Sequence, residues 1–169
     1  MPNAYISGTG FFVPPRVVTN DDLSTYMDTT DEWIFERTGI SERRYVEKGI
    51  GPSDLAIPAT KQALESANLS VSDIDFMIFA TSTPDYYIPG SGCLLQKKMN
   101  FKQIGALDIR VQCSGFVYGM SIAEQYIETG KFKNILLVGA EVQSTAMNLS
   151  CLLYTSPRPR AATLARMPS

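Results

Sequence analysis

The chain has 169 residues, a net charge of −2 and 44% hydrophobic residues, which is the composition of a globular protein that can bury a core. No apolar run approaches membrane-spanning length, and no basic stripe precedes residue 150, so neither a membrane nor a nucleic acid is an expected partner. The first residues lack the basic and apolar regions of a signal peptide. Three cysteines without CxxC spacing predict neither a disulfide framework nor a zinc site, and we expect a cytoplasmic protein.

Strands and helices alternate along the sequence. The predicted elements, in chain order, are a strand over 4–13, short helices over 19–27 and 30–37, a helix over 53–67, a strand over 76–81, a helix over 90–99, a strand over 106–111, a helix over 114–129 and a strand over 135–139. This alternation predicts an α/β fold with a mainly parallel central sheet flanked by helices. The particular fold does not follow from the pattern alone.

Two helices show an apolar face. Small residues at i, i+3, i+4 and i+7 spacing in helix 53–67 predict close packing against a sheet, and they are Ala56, Ala59, Thr60, Ala63, Leu64 and Ala67. In helix 114–129 the predicted face consists of Phe116, Met120, Ala123 and Ile127.

The glycines of Gly8-Thr9-Gly10 follow a predicted strand, as in a dinucleotide-binding turn. Such a turn must open a helix, and Phe11-Phe12-Val13-Pro14-Pro15 cannot do so. The glycines are instead expected to permit close packing or a bend.

The character of the sequence changes near its end. We treat residues 1–150 as one natural domain, whereas residues 151–169 carry several prolines and arginines without a helix or strand period. The run Cys151 to Arg160 resembles a translated sequencing adaptor, which predicts a non-native tail. A genuine, basic, disordered tail is the competing interpretation.

Cys113 is the strongest candidate for chemistry. It stands between a predicted strand and a predicted helix, where the free N–H groups of the helix favour negative charge and lower a thiol pKa. Ser114 and Gly115 behind it permit a tight turn. The competing interpretation is a buried cysteine that only fills space.

Trp33 and Arg37 lie four residues apart, so one helical face carries an indole and a guanidinium. Such a pair can stack on a nucleotide base and hold a phosphate. A half-buried tryptophan beside a surface arginine is the alternative. Two further groups predict no chemistry: Cys93 is expected in the core, and the acids Asp73, Asp75, Asp85 and Glu141 lack metal-ligand spacing.

Together, Thr29-Thr30-Asp31-Glu32-Trp33-Ile34, Arg37-Thr38-Gly39-Ile40 and Cys113-Ser114-Gly115-Phe116 resemble the N-terminal half of β-ketoacyl-ACP synthase III. The resemblance runs from Ala4 to about Ser144. It implies a thiolase-like layered fold, in which segment 19–50 is an insertion that contacts coenzyme A (CoA).

The resemblance also implies a reaction. A starter acyl-CoA would acylate Cys113 and then be condensed with malonyl-ACP in fatty acid biosynthesis, with no cofactor and no metal. Trp33 would stack on the CoA adenine, while Thr29 and Arg37 would contact its phosphate-bearing part. The acyl carrier protein and a second copy of the chain would be the partners. Ile88 would gate the acyl pocket of the dimer partner.

In the family, a histidine and an asparagine that hold the malonyl thioester lie in the C-terminal half. The chain contains no histidine, so we expect the 169 residues alone to be inactive in condensation. Val111-Gln112 also stand where small residues are common, which leaves the size of the acyl pocket open. Alternatives are another thiolase-fold acyltransferase, such as a long-chain or secondary-metabolite condensing enzyme, and a non-catalytic binding remnant.

Overall fold

The computed structural model describes residues 3–145. Its helices are α1 (Asn20–Ser24), α2 (Asp31–Thr38), α3 (Pro52–Ala67), α4 (Ser91–Met99) and α5 (Gly115–Glu128), and its strands are β1 (Arg16–Thr19), β2 (Glu42–Tyr45), β3 (Phe76–Ala80), β4 (Gly105–Ile109) and β5 (Ile135–Gly139). The predicted tail, residues 151–169, lies outside the described residues. None of the helices in residues 3–145 has both the length and the apolar character needed to cross a bilayer.

The chain divides into two compact units. Of the described residues, 3–13 and 47–142 form the larger unit, called the sheet unit here, and 14–46 and 143–145 belong to the smaller, called the hairpin unit. The described part of the sheet unit contains α3, α4, α5 and three strands in the order β4-β3-β5, all parallel. The predicted parallel α/β architecture is therefore confirmed.

The central strand β3 is buried on both faces, which explains its uninterrupted apolar sequence. Met77 and Phe79 belong to a core cluster with residues of α3 and α4, namely Ala56, Leu64 and Leu95. Ile78 and Ala80 point to the opposite face, where they lie next to α5. The sheet unit is consequently a three-layer helix–sheet–helix arrangement.

Helix α3 matches the predicted helix and its apolar face. Its buried positions include Ala56, Thr60 and Leu64, which follow the predicted spacing. Pro52 at the start of the helix and Asn68 in the left-handed conformation after it account for the two ends.

The predicted strand over 4–13 is not formed within the described residues, where this segment has no ladder partner. It runs along α3 instead, and the Phe11 amide donates a hydrogen bond to Gln62 Oε1 at 3.3 Å. A Cβ atom on Gly8 would lie 2.6 Å from the Ala67 amide nitrogen, and one on Gly10 equally close to that of Ala63. Only glycine permits this approach, which confirms the close-packing interpretation.

The hairpin unit pairs β1 with β2 in antiparallel register. Sequence analysis missed both strands, because their four-residue length leaves little room for a period of two. Both of its helices are capped, and α1 ends at Ser24, three residues before the predicted end of this helix at residue 27. Thr19 and Asp22 form a capping box on α1, Thr30 accepts a hydrogen bond from the Trp33 amide, and Gly39 ends α2 in the left-handed conformation.

Candidate active site

Cys113 lies at the carboxyl edge of the parallel sheet, where ligands commonly bind in open α/β folds. Strand β4 ends at Ile109, a single 3₁₀ turn spans Gln112–Ser114, and α5 begins at Gly115. Cys113 is exposed in this turn, and the residue before it, Gln112, has a positive φ of 47°. The structure therefore presents the thiol to solvent directly before a helix N-terminus.

Two glycines bring α5 against the sheet. A Cβ atom on Gly115 would lie 3.0 Å from the Ala80 side chain, and one on Gly119 would lie 2.5 Å from the Leu137 side chain. These glycines are the buried residues of α5, whereas Phe116 and Met120 of the predicted apolar face are largely exposed. The first half of the predicted face is therefore wrong, because glycine carries no hydrophobic signal in a sequence pattern, whereas Ala123 and Ile127 of the second half are half-buried.

Glu141 holds the end of β3. Its carboxylate accepts hydrogen bonds from the Ser82 amide at 2.6 Å, the Ser82 hydroxyl at 2.9 Å and the Thr83 hydroxyl at 2.7 Å. Since Glu141 follows β5, this clamp joins the loops after two neighbouring strands at the edge where Cys113 lies.

The loop between β3 and α4 carries Ile88. Ile88 is 90% exposed, and Tyr86 and Tyr87 beside it are also exposed. The Arg110 guanidinium lies 5.8 Å from the ring centroid of Tyr87, so this loop adjoins the segment between β4 and Cys113. A side chain as exposed as Ile88 contributes no packing to the sheet unit and is available to a partner.

Asp85 anchors this loop at its base. Its side chain is 7% exposed and accepts hydrogen bonds from the Ser53 hydroxyl at 2.7 Å and the Ser53 amide at 3.2 Å. The Asp85 amide donates to the buried Ser91 hydroxyl at 3.2 Å. These contacts tie the loop to the start of α3 and the start of α4.

Lys98 completes the anchor. Its ammonium group lies 2.5 Å from Asp54 Oδ1, 2.8 Å from Ser53 Oγ and 3.9 Å from Asp85 Oδ1. Burial alone would raise the pKa of Asp54, but the Lys98 ammonium and the Gly51 amide together hold it below its ordinary value. The Lys98 ammonium group therefore forms ion pairs with two carboxylates, those of Asp54 and Asp85.

Asp108 on β4 caps the neighbouring helix. Its Oδ1 accepts a hydrogen bond from the Gly92 amide at 2.9 Å, in the first turn of α4. Burial raises the pKa of the Asp108 carboxyl against the opposing hydrogen bonds from the Gly92 and Ser91 amides, and the Asp85 carboxylate adds to the increase.

The hairpin unit presents the second candidate group. The Arg37 guanidinium lies over the Trp33 ring at 4.3 Å from its centroid, and Arg37 Nη1 donates to the Trp33 carbonyl at 3.2 Å. Trp33 is 43% exposed. The indole is therefore partly exposed beneath a stacked cation, an arrangement that the nucleotide-contacting face and the half-buried structural tryptophan both predict.

Thr29 immediately precedes the cap of α2. Its hydroxyl oxygen is withdrawn from water and has no hydrogen-bond partner among residues 3–145. A buried hydroxyl without a partner is uncommon, and a bound ligand could supply one.

One prediction about the cysteines is wrong. Cys93 is exposed on α4 rather than in the core, because Ser91, Gly92 and Leu95 are the residues that this helix buries. Both cysteines are exposed, so exposure does not identify the candidate nucleophile. Cys113 differs from Cys93 because it lies at the carboxyl edge of the sheet, directly before α5. No cluster of three or more His, Cys, Asp or Glu side chains suited to a metal lies within the described part of the chain.

Sequence reasoning missed the three carboxylates that hold the loops of this edge: Asp85, Asp108 and Glu141. Asp85 and Glu141 were considered only as metal ligands. A usable signal existed, because each follows or ends an apolar strand, and the carboxyl ends of parallel strands meet at one edge.

Comparison with solved structures identifies the fold class of the chain. The fold matches the 3-oxoacyl-ACP synthase III of Aquifex aeolicus with a TM-score of 0.83 at 44% identity, covering 87% of this chain and 47% of that one. The priming β-ketosynthase of the R1128 polyketide pathway also gives 0.83, at 29% identity over 87% of this chain and 44% of that one. The chain has the thiolase-like layered fold.

Sequence comparison gives the family. Residues 107–155 match the family model described as 3-oxoacyl-[acyl-carrier-protein] synthase III. The chain is 46% identical over 155 residues to a β-ketoacyl-ACP synthase III of Caldanaerobacter subterraneus, covering 89% of the chain and 47% of the relative. The chain belongs to the β-ketoacyl-ACP synthase III family and spans about half the length of the curated relatives it matches.

Proposed function

We propose that the chain is the acyl-accepting part of a β-ketoacyl-ACP synthase III, with Cys113 as the nucleophile. One observation carries this proposal. An exposed thiol stands directly before the N-terminus of α5, at the carboxyl edge of the sheet, in a chain related to synthases of that name. Free N–H groups in the first turn of a helix favour a negative charge such as a thiolate.

In the proposed first half-reaction, the Cys113 thiolate attacks the carbonyl carbon of an acyl-CoA. The tetrahedral intermediate expels the CoA thiolate, which takes up a proton, and the acyl group remains on Cys113 as a thioester. The Cys113 amide would donate to the oxyanion of the intermediate. In the second half-reaction, a carbanion formed by loss of CO₂ from malonyl-ACP attacks the carbonyl carbon of this thioester. The C–S bond to Cys113 then breaks, the Cys113 thiolate leaves, and the product is the β-ketoacyl-ACP.

We further propose that segment 19–50 contacts the CoA nucleotide. The exposed Trp33 ring would stack on the adenine, while Arg37 and Thr29 would contact the phosphate-bearing part. The stacked guanidinium supports this assignment because it places positive charge beside an open aromatic face.

The remaining partners are inferred from the same relationship. The acyl carrier protein would deliver the malonyl group, and a second copy of the chain would receive Ile88 at its acyl pocket. The exposure of Ile88 supports that role. We propose a cytoplasmic enzyme without a cofactor; a reducing compartment keeps a free thiol such as that of Cys113 reduced.

A different condensing enzyme of the same fold is the second candidate. The match to a priming β-ketosynthase of a polyketide pathway favours it, although the identity is lower, at 29% against 46%. A panel of acyl-CoA chain lengths offered to the protein would separate these candidates, because each implies a different starter group.

The first experiment tests the nucleophile. We expect mass spectrometry to find an acyl group on the Cys113 peptide after brief incubation of the chain, fused to a carrier protein free of cysteine and tryptophan, with a short acyl-CoA. Cys93→Ala is the matched control and should be labelled as the wild type is. Labelling confined to Cys93 would refute the assignment, and no labelling at all would favour a binding remnant.

The second experiment tests the nucleotide contact. Trp33 is the single tryptophan of the chain, so its fluorescence reports CoA binding at this position. Replacing Trp33 with alanine should weaken CoA binding by about 1–3 kcal/mol, as loss of a base–aromatic stack does, which isothermal titration would measure. Unchanged affinity with a collapsed melting temperature would instead identify a structural tryptophan.

A further inference from the structure

Asn20, the first residue of α1, is 1% exposed. A fully buried polar side chain requires hydrogen-bond partners, and the structure supplies one for each polar group of this amide. None of the roles considered above involves it.

The Asn20 amide contacts both flanks of α2. Nδ2 donates to Asp31 Oδ1, at the first residue of that helix, and to the Ile40 carbonyl, just beyond its C-cap, both at 2.7 Å. On the other side, Oδ1 accepts a hydrogen bond from Arg43 Nη2 at 2.6 Å. Arg43 belongs to β2, so one side chain joins α2 to the hairpin.

Helix α2 has little else to hold it. Ile34 is the one buried residue among Asp31–Thr38, all of which the structure describes. With such limited apolar burial, hydrogen bonds at its two ends must contribute much of what fixes the helix. This same helix carries Trp33 and Arg37.

We propose that Asn20 is a positioning residue, which fixes α2 so that the Trp33–Arg37 pair is held ready for the adenine nucleotide end of CoA. The identity of the ligand rests on the proposed function, whereas the anchoring does not. Without Asn20 the helix would have to be ordered when the ligand binds, and that ordering would reduce affinity.

The first measurement needs no ligand. Time-resolved fluorescence anisotropy of Trp33, the single tryptophan, is recorded on the carrier fusion. The wild type should show only the slow decay of overall tumbling, and Asn20→Ala should add a fast component from motion of α2. Asn20→Asp should do the same, since it retains the Arg43 contact and the side-chain volume but loses both donated hydrogen bonds.

Thr19→Ala is the matched control. Thr19 neighbours Asn20, and the hydrogen bonds given for its side chain are those of the capping box of α1, to Asp22; the substitution leaves the backbone pairing of Thr19 with Glu42 in place. This variant should lower the melting temperature without adding the fast component. CoA titration should then give a dissociation constant raised at least fivefold in Asn20→Ala and within twofold of wild type in Thr19→Ala.

These measurements test the positioning role of Asn20 and the proposed CoA site separately. An unchanged decay in both Asn20 variants, an equal fast component in Thr19→Ala, or loss of folding in both Asn20 variants would overturn the positioning role. If the fast component appears but the wild type does not bind CoA, the anchoring stands and the proposed CoA site is wrong.

Discussion

Asp108 combines a capping role with an electrostatic penalty. Its carboxylate accepts a hydrogen bond from the Gly92 amide, yet burial and the Asp85 carboxylate raise its pKa. A carboxyl group whose pKa is higher in the folded protein than in the unfolded chain binds more protons when folded, so its contribution to stability falls as the pH rises.

We therefore expect Asp108→Asn to become increasingly stabilising, relative to wild type, as the pH rises above the ordinary aspartate value of 3.8. The amide oxygen of asparagine can still accept the hydrogen bond, and it carries no charge to desolvate. Urea unfolding of both carrier fusions between pH 4 and 7 measures the difference in unfolding free energy. Carboxyl groups other than Asp85, whose charge acts on Asp108, titrate alike in both proteins and cancel, and a difference that stays constant or falls with pH would contradict the prediction.

At the scale of elements, the docking of α5 decides where the thiol lies. Gly119 meets side chains from all three strands, Leu137 of β5, Ile78 of β3 and Ile109 of β4. This contact fixes α5 against the sheet. It therefore also fixes the N-terminus of α5 and the preceding turn, which contains Cys113, at the carboxyl edge.

Gly119→Val should overpack this contact and lower the unfolding free energy by about 1–3 kcal/mol. Ser121→Val, at an exposed position of the same helix, carries the same β-branched side chain and should change stability by less than about 0.5 kcal/mol. Chemical denaturation of both variants provides the measurement. Valine has a higher helix propensity than glycine, so a loss of stability in Gly119→Val cannot come from propensity, and equal losses in the two variants would contradict the packing role of Gly119.

The elements of the sheet unit were largely predictable, and the reasons are local. The apolar run of β3 predicts a buried strand, and the spacing of the small residues of α3 predicts a helix packed against a sheet. In the hairpin unit, Thr30 and Gly39 likewise cap α2 through contacts within a few residues. The position of Cys113 between strand and helix followed from the same local signals.

The features that the sequence does not predict depend on contacts between residues that are far apart in the chain. The clamp of Glu141 on Ser82 spans 59 positions, and the Asn20–Arg43 bond spans 23. The segment 4–13 has a strand-like sequence, but a strand also needs a neighbouring strand, which no local pattern reports. The roles of Thr29, Trp33, Arg37, Ile88 and Cys113 remain predictions.

At the scale of the whole molecule, the sheet unit exposes many large apolar side chains near the candidate nucleophile. They are Tyr86, Tyr87 and Ile88 in the loop before α4, and Phe116, Val117 and Tyr118 on α5. Exposed apolar surface of this kind marks an interaction site or an aggregation liability.

The chain without a carrier should therefore self-associate and bind a hydrophobic dye. Replacing Tyr87 and Ile88 together with glutamate should reduce the association, whereas glutamate at Lys61 and Ser66, two exposed positions of α3, should not. Sedimentation velocity measures the association. A monomer that melts cooperatively and binds no dye would contradict this prediction.

We also expect the 169-residue chain to form no ketoacyl product from acyl-CoA and malonyl-ACP. Enolate formation needs hydrogen-bond donors at the developing charge, and the chain has no histidine to provide one. Product analysis by mass spectrometry checks this expectation, with an intact relative as the positive control. Detection of the product would refute the dependence on that histidine.

The contact of the N-terminal segment with α3 has a consequence for the order of assembly. The hydrogen bond from Phe11 to Gln62 closes a loop of 51 residues, whereas α3 itself forms from neighbours in sequence. The groove that receives Gly8 and Gly10 exists only once α3 is helical, so the segment must dock afterwards. Its amide protons should consequently exchange with solvent long before those of β3, which lie at the centre of the sheet.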